Sequence, residues 1–85
     1  MHRVIEGVLE FRDEYYRKSF KLSDRLHETH VIKVSHRTFY DLMRDCNPAI
    51  DPFVGYTTDY LGFTIIGIPL IQDGTVEDYV IEEKK

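Results

Sequence analysis

The sequence predicts a small α+β fold, an antiparallel-rich sheet of about three strands packed against two helices. Three observations carry the prediction. Residues 60–71, YLGFTIIGIPLI, are the densest apolar and β-branched run in the chain, and a run of that kind, punctuated by Gly62, Gly67 and Pro69, reads as a buried strand. Residues 1–26 carry apolar side chains at the three- and four-residue spacing of a helix. Residues 29–34, THVIKV, alternate and are β-branched, as in a strand.

In chain order, the first helix (1–26) places Val4, Val8, Phe11, Tyr15 and Leu22 on one stripe, with Ile5, Leu9, Tyr16 and Phe20 beside them. Glu10 and Glu14 repel across one turn and Asp13 and Arg17 attract, each by a few tenths of a kcal/mol, so neither decides the structure. Gly7 costs about 1 kcal/mol relative to alanine in a helix interior, which predicts either frayed first turns or a later helix start. The aromatic surface of this stripe is wide for one helix and is covered either by the sheet or by a second copy of the chain.

The strand at 29–34 ends at Ser35, an N-cap for a helix from His36 to Asp45 with Phe39, Leu42, Met43 and Cys46 on one face. Asn47-Pro48 stops that helix. Residues 47–59 then read as the longest irregular connection, in which Phe53, Val54 and Tyr56 either tuck under the sheet or form a contact surface. Beyond the central strand, Asp73-Gly74 predicts a hairpin turn into a last strand, Thr75–Glu82. Pro69 lacks a donor and predicts an irregularity or a free edge. The acidic end with Lys84 and Lys85 discourages edge-to-edge aggregation. The whole reads as one domain over 1–85, helix 1–26 followed by a strand, helix, loop and hairpin over 29–83.

A chain of 85 residues buries only roughly 60% of its unfolded surface, so assembly is an expected source of added stability. The one cysteine and the absence of a basic-then-apolar leader predict a reducing, intracellular setting. No apolar run approaches the roughly 20 residues that span a bilayer, so no membrane partner is expected. The net charge of −4 divides unevenly: residues 1–44 hold nine Lys/Arg and seven Asp/Glu, and residues 45–85 hold two and eight. Such asymmetry orients one copy against another or attracts a basic partner, although a solvated acidic face has the same composition.

Catalytic and ligand-binding patterns are weak. His27, Glu28 and His30 lie close together with His36 nearby, but no cysteine pair or HExxH spacing accompanies them, so no metal or cofactor is predicted. Cys46 and His36 stand at opposite ends of a helix, about 15 Å apart at 1.5 Å per residue, too far for a nucleophile and its base. Cys46 falls instead on a core position. Glu77-Asp78 and Glu82-Glu83 are adjacent in a strand and point to opposite faces, and no glycine-rich phosphate loop is present. No enzyme is expected.

From Val31 to Ile81, a strand ending in Ser-His, a short helix with Phe39-Tyr40 and Leu42-Met43, a proline-bearing loop, Gly67-Ile68-Pro69 and Asp73-Gly74 before a closing strand resemble a segment of tailed-phage major capsid proteins. The chain lacks the long spine helix, extended loop and N-terminal arm of that family and is too short for a shell subunit. The resemblance implies a phage or prophage origin, a small accessory role in the host cytoplasm or on the virion, and no catalytic residues.

The function expected from the sequence is non-enzymatic protein binding, with a second copy as first partner and another protein next. Its candidate contacts are Val4, Val8, Phe11 and Tyr15 on the first helix and Phe53 and Tyr56 in the loop. The alternative is nucleic-acid binding through Arg17, Lys18, Lys21 and Arg25, with Arg12 nearby, interleaved with Tyr15, Tyr16 and Phe20. The net negative charge and Asp13, Glu14 and Asp24 weaken that field.

Overall fold

In a computed structural model of the chain, residues 2–18, 26–46 and 51–84 are described. They form helix α1 (Arg3–Lys18), a helical turn α2 (Leu26–Thr29), strand β1 (His30–Val34), helix α3 (His36–Asp45) and strands β2 (Val54–Tyr56), β3 (Phe63–Ile65), β4 (Ile68–Gln72) and β5 (Tyr79–Glu83). The expected positions of Phe20, Lys21, Leu22, Arg25 and Pro48 lie outside the described residues.

The α+β class holds, but the sheet has five strands in the order β2-β3-β4-β1-β5 and is mixed. β1 and β4 run parallel, and the other neighbours are antiparallel. Two local events supply the extra strands. The run at 60–71 is not one strand, because Ile66 and Gly67 take φ of 54° and 83°. Positive φ at both central residues makes a tight two-residue hairpin turn, which sets Ile65 opposite Ile68. In the segment expected to be irregular, Val54–Tyr56 pairs with β3 from Val54↔Ile65 to Tyr56↔Phe63.

Asp73 and Gly74 do form a turn, with Asp73 Oδ1 accepting from the Thr75 amide at 2.8 Å and its hydroxyl at 2.6 Å. The strand that follows does not fold back on β4. It crosses to the far side of β1, where Ile32 stands opposite Ile81, so the predicted hairpin is replaced by two separate pairings to β1. Pro69 is buried in β4, the middle strand, and the parallel ladder to β1 begins one residue later, at Ile32↔Leu70. A proline at that point leaves the ladder intact.

Alternation along the paired strands sorts the side chains onto two faces. His30, Ile32, Val34, Val54, Ile65, Ile68, Leu70, Tyr79 and Ile81 share one of them. Both helices pack there: Phe11 and Tyr15 of α1 set their rings edge-on to His30 at 5.5 and 5.4 Å, and Phe39 of α3 meets Phe63 at 6.0 Å. Ile5, Ile32, Leu42, Ile65 and Leu70 are fully buried between the layers.

The starts of α1 and α3 are capped. Ser35 Oγ accepts from the Thr38 amide at 3.1 Å, as expected for an N-cap. At α1 the His2 ring does the same work, Nδ1 accepting from the Val4 amide at 3.1 Å. The first turns are therefore held, and Val4, Ile5 and Val8 are all fully buried.

A chain of polar contacts joins three elements. Ser35 Oγ donates to Thr38 Oγ1 at 2.9 Å, Thr38 Oγ1 donates to Asp78 Oδ1 at 2.6 Å, and Arg3 Nη1 reaches both Asp78 oxygens at 2.8 and 2.9 Å. Thr38 is only 3% exposed, so removing its acceptor matters more than losing the exposed Arg3 pair. Asp78→Ala is expected to cost about 1–2 kcal/mol in urea denaturation, with Arg3→Ala nearly neutral.

Candidate interaction surface

The side chains predicted as contacts divide sharply. Val4 and Val8 lie in the core and can touch no partner without unpacking it. Phe11 and Tyr15 are half-buried against His30, while Tyr16 beside them stays exposed. Phe53 is half-buried against the core, whereas Tyr56 is 70% exposed beyond Phe63.

The surface that the sequence did not single out is the second face of the sheet. Val31, Lys33, Pro69, Ile71, Val80 and Glu82 point there by register. Among the described residues, α1 and α3 pack on the opposite face. Val31, Lys33, Ile71 and Glu82 line a shallow groove of about 350 Å³, with Tyr60 at its rim. Tyr60 takes φ of 51°, and the Leu61 amide just beyond it donates to the Leu70 carbonyl at 3.3 Å. That bond ties the 57–62 loop to the rim of this face. Tyr60 and Val80 remain 55% and 36% exposed.

Lys33 is the charged centre of the groove. Its Nζ lies 2.7 Å from Glu82 Oε2 and 3.7 Å from Asp73 Oδ2. The Glu82 hydrogen bond chiefly raises its pKa. Asp73 is held below its ordinary value of 3.8, first by the Thr75 hydroxyl, then by the Thr75 amide, with Lys33 adding less. A lowered carboxyl contributes stability above its unfolded pKa and loses it as the pH falls through the folded one. Asp73→Asn is therefore expected to lower the urea midpoint at neutral pH, the difference from the parent chain shrinking as the pH falls below about 4.

Cys46 is 5% exposed. Burial pushes its thiol pKa up, and the Asp51 carboxylate adds to the rise. A thiol held protonated in the core is a poor nucleophile, and less than a tenth of Cys46 is expected to react with a thiol reagent at pH 8 before the chain is unfolded.

Among the described residues no group of His, Cys, Asp and Glu could hold a metal ion, and His30 is committed to the core beside Thr29 Oγ1 at 2.7 Å. Of the basic residues predicted to meet nucleic acid, Arg17 and Lys18 are exposed in the last turn of α1 beside Tyr16, while Lys21 and Arg25 lie outside the described residues. No described helix is long and apolar enough to cross a membrane. The chain matches no family model, no curated protein and no solved structure.

Proposed function

We propose that this chain is a non-enzymatic α+β interaction module that binds protein, a second copy of itself first, and that it does so through the sheet. The observation that carries the reading is a sheet face that no described helix covers, where Ile71, Val80 and Tyr60 surround the groove above a buried Val31. An apolar surface of that kind, set among Lys33, Glu82 and Glu83, has the mixed character of a protein interface. The small accessory role of phage or prophage type implied by the capsid-segment resemblance, in host cytoplasm or virion, belongs to the same proposal.

Light scattering on a size-exclusion column at low and high salt tests it. A dimer or larger assembly at both salts is expected, because burial of apolar surface and backbone pairing resist screening. A monomer throughout sinks the reading. Nucleic-acid binding stands as the second reading on the exposed Tyr16, Arg17 and Lys18. It predicts an affinity for single-stranded nucleic acid that falls steeply over the same salt range.

A further inference from the structure

Strand β5 has β1 on one side and, among the described residues, no strand on the other. Its backbone phase follows from two hydrogen bonds at its ends. The Lys84 amide donates to the Thr29 carbonyl at 2.7 Å, and the Asp78 carbonyl accepts from the Ser35 amide at 2.9 Å. Even-numbered residues of β5 therefore turn their backbone groups toward β1, and Tyr79, Ile81 and Glu83 turn theirs to the open edge. Five residues make this a longer edge than β2, which has three.

We propose that β5 pairs antiparallel with β5 of a second copy, about a two-fold axis at Ile81, so that two sheets join into one. The inference rests on the self-association reading above and names its contact. In an antiparallel pair, hydrogen-bonded positions must face hydrogen-bonded positions. Only residues 79, 81 and 83 are available, and centring on Ile81 uses all of them: Ile81 faces Ile81 of the second copy, and Tyr79 faces Glu83 of the second copy, twice by symmetry.

Charge selects the same register. Val80 then stands opposite Glu82 of the second copy, and Asp78 falls alongside Lys84 of the second copy. A pairing centred on Val80 sets Asp78 against Glu82, and one centred on Glu82 sets two glutamates face to face; like charges directly opposite destabilise a strand pair. The acidic end that was expected to block edge pairing thus blocks the neighbouring registers and leaves this one open. The groove lined by Val31, Lys33, Ile71 and Glu82 lies next to this edge and becomes continuous with its symmetry mate.

Amide hydrogen exchange on the unaltered chain, read residue by residue above and below the dimer dissociation constant, tests the contact. The amides of Tyr79, Ile81 and Glu83 are expected to gain at least tenfold protection in the dimer and to lose it on dilution, while those of Val80 and Glu82, bonded to β1, stay protected throughout. Glu83→Pro removes one outward donor per chain without touching the β1 ladder, and is expected to weaken the dimer about ten- to thirtyfold with an unchanged circular dichroism spectrum. A dimer with freely exchanging 79, 81 and 83 amides overturns the edge pairing and leaves self-association standing. Protection that survives dilution means the chain covers its own edge, and also overturns it. A monomer at every concentration removes both readings.

Discussion

Replacing Ile32 by alanine is expected to lower the unfolding free energy by about 2–5 kcal/mol, the range for truncating a buried isoleucine. Ile32 is fully buried on β1, with Leu70 of β4 on one side and Ile81 of β5 on the other. The side chain therefore sits where the parallel and antiparallel ladders meet, beneath both helices. Neighbours fixed by two ladders have little freedom to collapse into the space left behind, which places the cost toward the upper end. A chain of 85 residues has roughly 4–13 kcal/mol of stability in total, so the variant should show a large fall in urea midpoint and partial unfolding at 37 °C. Ile32→Val, which removes one methyl group, should cost only about 0.5–1.5 kcal/mol. Equal costs for the two would mean that the site relaxes freely.

Gly7→Ala is expected to destabilise by about 1–3 kcal/mol, the penalty for overpacking. Propensity alone predicts the opposite, a gain near 1 kcal/mol in a helix interior. A Cβ at residue 7 would meet the Tyr79 hydroxyl well inside contact distance and the ring carbon Cζ at 2.9 Å. The glycine lets α1 approach β5 over that ring. Adding Tyr79→Phe removes the hydroxyl but leaves the ring carbon, so the double variant should recover part of the loss and not all of it. A stabilised Gly7→Ala would show that the ring swings aside at no cost.

Gly7 marks the limit of reading the chain locally. Its reason is a tyrosine 72 positions away, and no window of sequence contains both. The same limit explains β5: the Asp73-Gly74 turn is legible because its Asx hydrogen bonds are made within three residues, but which strand the chain meets after the turn depends on where β1 already lies. Ile66 hid the break in the central run for another reason. Two-residue turns with positive φ favour Asn-Gly, and a β-branched residue in the first place gives no signal. By contrast, helix α3 was legible to its ends, since Ser35 and the 39, 42, 43, 46 spacing are local and agree with each other. Two of the candidate contacts on α1, Val4 and Val8, are buried for a related reason. Periodicity identifies an apolar face but not what covers it, and α1 spends Val4 and Val8 on the sheet.

The strand order also has a consequence for how the chain comes into being. β1 takes its partners from β4 and β5, each paired residue of β1 waiting on one 38 or more positions further along. During synthesis β1 is translated before either of its neighbours. The local hairpin of β2, β3 and β4 can form as it emerges, whereas the β1 ladders close only after long loops have been fixed, a step that slows folding. Until β5 arrives, the flank of β1 that it will occupy is itself an unpaired edge. The nascent chain therefore passes through an interval in which that edge of β1 stands open to any other strand, until its own β5 closes over it.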